Sequence, residues 1–348
     1  MLTIKKIILT AAVMTAVTVS LFCSKTLSMG IVYGTELCLN ALLPSIFPFL
    51  LLSEFIAHCG AGEIIFKPFG FIVHHLFRLN KSLTSAVVLS FIGGYPVGAR
   101  QISFLLSNKV INKSEAERAI CFCFNAGPAF AVSAVGVRIF GSIKVGIILF
   151  LSLALASIAV GFISSLGHKA SKERHRIKSL PLSNCFTESV WSSAKIIANL
   201  SAFVICFSAL IALFKEQLTG ICGAVIIGAL EVTNSLPFLS GIYGAFAIFT
   251  AVCLLSFGGL SVHVQVFSIL SEHNLSFKKF YVSRILHAGI SLLICTALFR
   301  LFLSGEILTS AVANTVSKTS YNNIFSSAFM LILAVFVLFS NSKKEVEI

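Results

Sequence analysis

Long apolar runs separated by short polar joints make up most of this chain. A helix of about 20 residues crosses the hydrocarbon core of a bilayer. The runs therefore predict membrane segments at approximately residues 4–22, 34–57, 83–107, 115–140, 142–167, 190–214, 219–238, 241–270, 280–303 and 323–340. We expect about eight to ten transmembrane segments. The more mixed stretch 60–80 predicts an interfacial helix or a re-entrant hairpin.

The composition indicates a membrane protein and not a soluble one. Apolar residues make up 57% of the 348 residues, charged residues only 11%, and the mean hydropathy is +0.98. A soluble domain carries about 25% charged residues. The first apolar run follows Lys5 and Lys6, but no A-x-A cleavage pattern comes after it, so we interpret it as an uncleaved first helix. The expected fold is all-α and polytopic, with residues 1–348 in a single membrane domain.

The net charge of +13 comes from the polar joints between the apolar runs. The densest basic stretch is the polar loop 168–180. Its charged residues are Lys169, Lys172, Arg174, Arg176, Lys178 and the single acid Glu173. Lys and Arg next to spans are typical of cytoplasmic loops. Neither a folded binding module nor a basic helix accompanies this charge, so we expect no nucleic-acid partner.

Missing residue types exclude several classes of enzyme. All 13 acidic residues are Glu, so the chain lacks the Asp of a Walker B motif, of a phosphorylated ion pump and of an EF-hand. No P-loop, GxSxG or HExxH run occurs. The ten cysteines lie scattered in apolar runs without zinc spacing, and we interpret them as packing residues. We expect no enzyme, no metal site and no cofactor.

Interrupted helices occur in what looks like an internal repeat. The run Ser90–Gly94 resembles the run Ser256–Gly259, and each is followed by a Gln and an apolar helix. Breaks inside apolar spans free backbone groups that lipid does not satisfy, and such breaks are typical of transporter binding sites. We predict discontinuous helices in two repeated halves, residues 34–140 and 190–303.

A basic joint follows each of the two similar runs. The joints contain Lys109, Lys113 and Arg118 after the first run, and Lys278, Lys279 and Arg284 after the second. Their charge indicates that both joints lie on the same side of the membrane, whereas an inverted repeat predicts opposite sides. The sequence therefore leaves inverted and parallel arrangements open.

The first candidate site is the polar run that begins at Glu231, inside the apolar segment 219–238. The run supplies a carboxylate at Glu231, a hydroxyl at Thr233 and an amide at Asn234. A charged side chain in the middle of a membrane costs roughly 2.5–3.5 kcal/mol, which favours a role in ligand binding or ion coupling. If the segment only dips to the interface, the carboxylate lies in water and has no such role.

The second candidate site is the run GGYPVGARQ, from which we select Gly93, Gly94, Tyr95 and Arg100. Pro96 lacks the N–H that a helix needs, so the helix must open here. The guanidinium of Arg100 is suited to a carboxylate. The structural alternative is a packing motif, because the glycines are spaced as GxxxG, with Arg100 reaching the lipid headgroups.

Further polar residues inside apolar spans predict the lining of a cavity. They are Asn125 in one span and Ser261 and Gln265 in a later one. His263, alone on an apolar face, is more typical of a structural histidine. Glu54, late in the segment 34–57, is either a second buried carboxylate or an interfacial one.

These motifs resemble the sporulation integral membrane proteins of the YlbJ type. The resemblance is carried by LPSIFPF from Leu43, SFIGGYPVGAR from Ser90, NAGP from Asn125, EVTN from Glu231 and SFGGLS from Ser256. It spans roughly residues 30–300. That family carries a "nucleoside recognition" Gate domain and is similar to concentrative nucleoside transporters.

The resemblance implies a spore-forming bacterium of the Firmicutes and a secondary transporter of a small polar metabolite. It implies dipicolinic acid, moved from the mother cell toward the forespore, as the first substrate and nucleosides as the second. It also implies a multi-pass protein of the bacterial cell membrane and leaves open which membrane of the sporulating cell holds it, the outer forespore membrane being one candidate. Expected partners are the substrate, the bilayer and a coupling ion, either proton or sodium. A structural or assembly protein of the forespore envelope is the alternative from another class.

The two substrates place different demands on a site. Dipicolinate is a planar dianion, so its site needs cations or helix N-termini. Our hypothesis is that Arg100 meets its carboxylates, while Glu231 carries a coupling proton or pairs with Arg100. A neutral nucleoside would instead use Glu231 and Asn234 as hydrogen-bond partners. The sequence leaves the oligomeric state and the direction of transport open.

Overall fold

The computed structural model describes residues 2–169, 181–239 and 244–303, and every regular element within them is helical. The α-helices are α1 (Leu2–Phe22), α2 (Ser24–Leu37), α3 (Leu43–His58), α4 (Ala61–Ile65), α5 (Gly70–His75), α6 (Thr84–Gly93), α7 (Tyr95–Ser107), α8 (Lys113–Ile120), α9 (Ile143–Ser165), α10 (Leu182–Ala212), α11 (Gly220–Leu230), α12 (Val232–Leu239), α13 (Ala245–Phe257), α14 (Gly259–Leu270) and α15 (Lys278–Phe302). Two π-helical segments, Cys38–Leu42 and Ala129–Val137, complete the longer elements. The all-α prediction is confirmed. The predicted segment 323–340 and most of the loop 168–180 lie outside the described residues.

Five helical stretches in the described ranges are long and apolar enough to cross a membrane. They are Ser24–His58, Ile143–Ser165, Leu182–Ala212, Ala245–His273 and Lys278–Phe302. Shorter apolar helices cover Lys6–Phe22, Lys81–Gly93 and Gly220–Leu230. Exposed apolar side chains follow one face of α9, at Ile147, Leu151, Leu155, Ile158 and Phe162. A face of this kind is suited to contact with lipid, so the predicted polytopic membrane fold is confirmed.

The first long span combines α2, a π-helical segment and α3. Pro44, near the start of α3, lacks an N–H, so the carbonyl of Asn40 has no helical donor four residues later. Arg138 Nη1 donates to this carbonyl at 3.4 Å. A π-helical segment at such a place is common at functional sites. In this protein the segment contributes Leu42 to a cavity described below.

Two of the predicted single spans, 83–107 and 219–238, are wrong, because each folds as a helical hairpin. Helices α6 and α7 form the first hairpin, and α11 and α12 form the second. A Cβ placed on Gly98 of α7 would lie 3.0 Å from Ser90 Cβ of α6. A Cβ placed on Gly223 of α11 would lie 3.0 Å from the ring of Phe238 of α12. In a straight helix a separation of eight residues spans about 12 Å. Non-helical backbone at Gly94 (φ 86°) and at Glu231 (φ −150°, ψ 115°) reverses the chain.

Two further predicted spans are discontinuous helices. In the first, α8 is followed by a non-helical stretch, residues 121–127, and then by the π-helical segment Ala129–Val137. In the second, α13 and α14 are separated at Gly258 and Gly259, whose φ angles are 85° and 78°. The prediction that the Gly93–Gly94 and Gly258–Gly259 motifs are equivalent is therefore wrong: one ends a hairpin arm and the other breaks a span. The same series of elements occurs twice, once after α3 and once after α10: a hairpin, a discontinuous helix and a long helix.

The polar joint between α7 and α8 and the polar joint between α14 and α15 meet at one end of the molecule. The backbone N–H of Ser276 donates to Glu117 Oε1 at 2.8 Å, which joins the two basic joints. Burial, together with the nearby cations Arg118 and Lys279, lowers the pKa of His168 at the start of the basic loop. Such a concentration of positive charge is typical of the cytoplasmic end of a membrane protein.

Candidate functional site

A cavity of about 40 Å³ lies where the two hairpin tips meet the first discontinuous helix. The α2–α3 span, α10 and α14 complete its wall. The lining residues are Leu42, Ser45, Ile46, Phe49, Ile92, Gly93, Gly94, Tyr95, Pro96, Gly127, Ala129, Phe130, Leu200, Val204, Glu231, Val232, Thr233, Val262 and Gln265. Glu231 is the one acid among them, and no Lys or Arg belongs to this lining.

The tip of the first hairpin packs against the non-helical stretch, residues 121–127, of the first discontinuous helix. A Cβ on Gly127 would lie 2.9 Å from the carbonyl oxygen of Ile92, and a Cβ on Gly98 would lie 2.0 Å from that of Cys123. These positions accept only glycine unless the backbone moves, so the glycines serve close packing, as the structural alternative predicted. The helix α7 then begins at Tyr95 with no side chain capping its N-terminus.

Tyr95 connects this tip to the second discontinuous helix. Its hydroxyl donates to the carbonyl of Leu255 at 2.5 Å. In an unbroken helix that carbonyl would accept from residue 259, but Gly259 has left-handed backbone. The Tyr95 ring also packs 4.8 Å from the ring of Phe124, between centroids. The first hairpin therefore supplies a hydrogen bond that the break in the other half requires.

The tip of the second hairpin carries Glu231, which is 1% exposed. Its Oε2 accepts from the backbone N–H and from the side-chain amide of Asn234, both at 2.7 Å. The bond from the backbone N–H three residues ahead is the geometry of a helix cap at the start of α12. Asn234 also donates to Ser208 Oγ of α10 at 2.8 Å. The buried carboxylate is thus fixed between its own helix N-terminus and the cavity.

The structure brings together most of the predicted site residues but not all of them. Those that line the cavity are Gly93, Gly94, Tyr95, Glu231, Thr233 and Gln265. Asn234 lies behind Glu231, and Ser261 is fully buried beside Gln265, whose Nε2 donates to its hydroxyl at 3.4 Å. Asn125 points away from the cavity, where its Oδ1 accepts from Ser157.

Arg100 is outside the cavity. Its side chain is exposed on α7, and Nη2 donates to Ser192 Oγ of α10 at 3.4 Å. The pairing of Arg100 with Glu231 that the sequence led us to consider is not formed in this structure. Glu54, by contrast, is 2% exposed, so of the two alternatives for this residue the buried one holds.

Arg284 is a buried cation that the sequence analysis assigned to a polar joint. It is fully buried on α15, and its guanidinium donates to the carbonyls of Phe124 (2.8 Å) and Cys121. The same group lies over the rings of Phe124 and Phe280, at 4.8 and 5.4 Å from their centroids. Arg284 therefore satisfies carbonyls that the first break removes from helical bonding. In the sequence, the sign that Arg284 is buried was its position six residues after the start of a long apolar helix.

Two more buried polar residues follow Arg284 along the same face of α15. His287 Nε2 contacts Ser157 Oγ at 2.9 Å and the Leu153 carbonyl at 3.1 Å. Ser291 shares a short hydrogen bond with Ser256, which precedes the second break. This face of α15 thus supports both discontinuous helices from the side away from the cavity.

The cavity combines an acid with the N-terminal ends of helices. The first residues of α7, of the π-helical segment Ala129–Val137 and of α12 all line it. Helix N-termini carry partial positive charge and unpaired N–H groups, so they favour anions. A cavity of about 40 Å³ holds roughly three water molecules, which is less than a metabolite requires. Binding of a metabolite therefore requires the hairpin tips to move apart.

Comparison with known proteins gives one informative similarity. No family model and no solved structure matches the chain. The chain is 27% identical to the sporulation integral membrane protein YlbJ of Bacillus subtilis (strain 168) over 299 residues, 73% of this chain and 72% of that relative. Together with the apolar spans, this similarity shows a multi-pass integral membrane protein that is similar to the YlbJ sporulation protein.

Proposed function

We propose that this protein is a secondary transporter that moves a small polar metabolite during spore formation, with dipicolinate as the first substrate. The observation that carries the proposal is the cavity between the two hairpin tips, with the acid Glu231 at one of them. Non-helical backbone at membrane depth is tolerated where protein or a water-filled cavity covers it, and it is typical of transporter sites.

The uncapped N-terminus of α7 supports an anionic substrate. Neither Gly94 nor Pro128 offers a side-chain cap to the helical segment that it precedes. The N–H groups of Tyr95 and Ala129, the first residues of these segments, have no partner among the described residues and remain for a ligand. We therefore assign the binding of the substrate carboxylates to these two helix N-termini and not to Arg100. A planar dicarboxylate would place its negative charge at these ends and its ring against the apolar wall formed by Ile46, Phe49 and Phe130.

A nucleoside is the second candidate substrate, and a specific observation favours it. Glu231 is the one charged side chain in the lining and an acceptor, with the neutral donors Thr233 and Gln265 in the same wall. Ribose hydroxyls are suited to such a set. A dianion is compatible with Glu231 only when this residue is protonated, so dipicolinate transport couples binding to uptake of a proton in this scheme.

Alternating access follows from the way each tip sits on a break. A Cβ on Gly259 would lie 3.1 Å from the backbone N of Val232, so the second tip contacts the second break as closely as the first tip contacts the first. Withdrawal of one tip opens the cavity on one side while the other tip keeps it closed. This arrangement is a gating cycle of two hairpins around one fixed site.

The test is uptake of labelled dipicolinate into proteoliposomes, with uridine measured in parallel. We expect wild-type protein to take up dipicolinate and Glu231→Gln to lose uptake, because the amide does not bind the proton. Glu188→Gln is the matched control, since Glu188 is exposed on α10 and the change in charge is the same. Its uptake should equal that of the wild type.

The outcomes separate the candidate functions. Uptake of uridine alone would overturn the substrate and retain the transporter. An assembly protein of the forespore envelope predicts a third pattern, in which Glu231→Gln and Asn234→Ala support sporulation as well as the wild type does. Sporulation defects in both variants at normal protein levels would exclude that alternative.

A further inference from the structure

A second buried carboxylate lies outside the substrate cavity, at the point where three elements of its wall meet. Glu54 of α3 is 2% exposed and lies inside the span Ser24–His58. Its Oε2 accepts from the Ser192 hydroxyl of α10, and its Oε1 is 3.5 Å from Gln101 Nε2 of α7. Among the described residues it forms no ion pair.

The partners of Glu54 allow both of its protonation states. A serine hydroxyl donates to a carboxylate, and it can equally accept from a carboxylic acid. The amide of Gln101 has the same double capacity, because its oxygen accepts where its nitrogen donates. The site can therefore gain or lose a proton without leaving a buried group unpaired.

Glu115 is equally buried and shows the opposite arrangement. It is 2% exposed, and its two oxygens accept from the backbone N–H groups of Asn80 at 3.2 Å and Asn112 at 3.1 Å. A backbone N–H only donates, so a proton placed on either oxygen of Glu115 would compete with one of these bonds, of which the one from Asn112 belongs to the capping box of α8. Burial alone therefore does not distinguish the two residues, whereas the chemistry of their partners does.

Water has access to the neighbourhood of Glu54 from two sides. Arg100, which is exposed, donates to the same Ser192 hydroxyl at 3.4 Å. A second cavity of about 40 Å³ borders Gln101 together with Ser82, Ser85 and Glu63. A cavity of this size with several polar groups in its wall accommodates a few waters. A proton can thus pass between water and the carboxylate through the Ser192 hydroxyl, which accepts one proton as it gives up another.

The titratable groups that are buried on the elements packed against α3 are Cys38, the Tyr95 hydroxyl and the Cys185 thiol. The other charged groups on these elements are at the surface. They are Arg100 on α7, Glu188 and Lys195 on α10 and Glu63 on α4, and each is exposed. His58, one turn later on α3, is partly buried, and its Nδ1 contacts Ser189 Oγ at 3.3 Å. Among the described residues, Glu54 is therefore the buried carboxylate of this region.

We propose that Glu54 is a proton-binding site that couples transport to the proton gradient, a role that rests on the proposed function. A proton from water adds to a carboxylate oxygen, an O–H bond forms, and the same proton later returns to water on the other side. The three elements that meet at Glu54 also line the substrate cavity, through Phe49 of α3, Tyr95 of α7 and Val204 of α10. Protonation of Glu54 changes its hydrogen bond with Gln101, and this bond connects α3 to α7, the second arm of the first hairpin.

The first experiment does not depend on transport. Purified protein in lipid nanodiscs is treated with dicyclohexylcarbodiimide, which modifies protonated carboxyl groups in apolar surroundings, and modified peptides are located by mass spectrometry. We expect modification of Glu54 in acidic buffer and its loss in alkaline buffer, with none at Glu115 in either. No modification of Glu54, or modification that does not change with pH, would overturn the proton site.

The second experiment measures dipicolinate accumulation driven by a pH difference of about one unit, which supports at most about tenfold accumulation per proton. We expect Glu54→Gln to accumulate about tenfold less than the wild type, because only the proton on Glu231 then accompanies the substrate. Exchange of labelled for unlabelled dipicolinate should continue, since exchange needs no net proton movement. Lys195→Gln is the control on α10 and should accumulate like the wild type. Accumulation by Glu54→Gln equal to that of the wild type would overturn the coupling role.

The two experiments fail independently. If the wild type carries no dipicolinate but Glu54 is modified in a pH-dependent way, the proposed substrate is wrong and the proton site stands. If dipicolinate is carried and Glu54 is never modified, the transporter stands and the proton site is wrong.

Discussion

The two hairpin tips close the same cavity with opposite chemistry. The first tip is made of Gly93 and Gly94, and it leaves the N-terminus of α7 without a side-chain cap. The second tip ends in Glu231, whose carboxylate accepts from the N–H of Asn234 and so occupies the N-terminus of α12. The first tip presents the N–H of Tyr95, which has no partner among the described residues, and the second presents an acceptor that its own helix already uses.

This difference indicates a division of tasks within one site. A glycine tip can approach other backbone closely, and its free N–H groups favour an anionic group of the ligand. A carboxylate at the second tip favours hydroxyls or a proton. The comparison also predicts that changes at the first tip act mainly through packing, whereas changes at the second act mainly through charge.

The largest effect is expected where the first hairpin packs on the first break. In Gly98→Ala the new Cβ would lie 2.0 Å from the Cys123 carbonyl oxygen, so the backbone must shift. We expect a loss of about 3 kcal/mol in the free energy of unfolding, measured by titration with sodium dodecyl sulfate in mixed micelles. Gly289→Ala on α15 is the control, because no described residue lies within 4 Å of its Cβ, and it should gain up to about 1 kcal/mol. Equal stability of the two variants would contradict the packing of this tip.

A smaller effect is expected where the first tip bonds to the second break. Tyr95→Phe removes the donor to the Leu255 carbonyl and leaves that acceptor unpaired. The expected loss is about 1–2 kcal/mol in the same titration. Tyr281→Phe is the control, since Tyr281 is 46% exposed, and its effect should stay within about 0.5 kcal/mol. A silent Tyr95→Phe would show that the two halves are not joined at this bond.

Hydrophobic runs and their interruptions predicted the helical class and the positions of the breaks. Pro96 and the adjacent glycines marked the first tip, and the polar run at Glu231 marked the second. The sequence did not distinguish a hairpin from a straight span, because both are apolar segments of about the same length. The distinction depends on backbone angles at single residues, such as φ 86° at Gly94, and on contacts between the arms.

Long-range contacts also decided which predicted residues share the cavity. Arg100 follows the first tip by less than two turns of α7, yet it faces Ser192 and not the cavity. Arg284 was grouped with Lys278 and Lys279 by proximity along the chain, although it is fully buried against the carbonyl of Phe124. Carbonyls freed by a break must find donors, but the sequence does not say which helix supplies them.

The smallest effect on stability is expected at the second tip, and it separates the capping role of Glu231 from its proposed role in transport. Glu231→Ala removes the acceptor for the Asn234 N–H and should cost about 1 kcal/mol. Glu231→Gln keeps an amide oxygen at the cap, so its stability should stay within about 0.5 kcal/mol of the wild type. Both variants should lose dipicolinate uptake, because neither side chain binds a proton. If the Gln variant loses as much stability as the Ala variant, the carboxylate charge and not the cap holds this tip, and the contrast between the two hairpins rests on electrostatics alone.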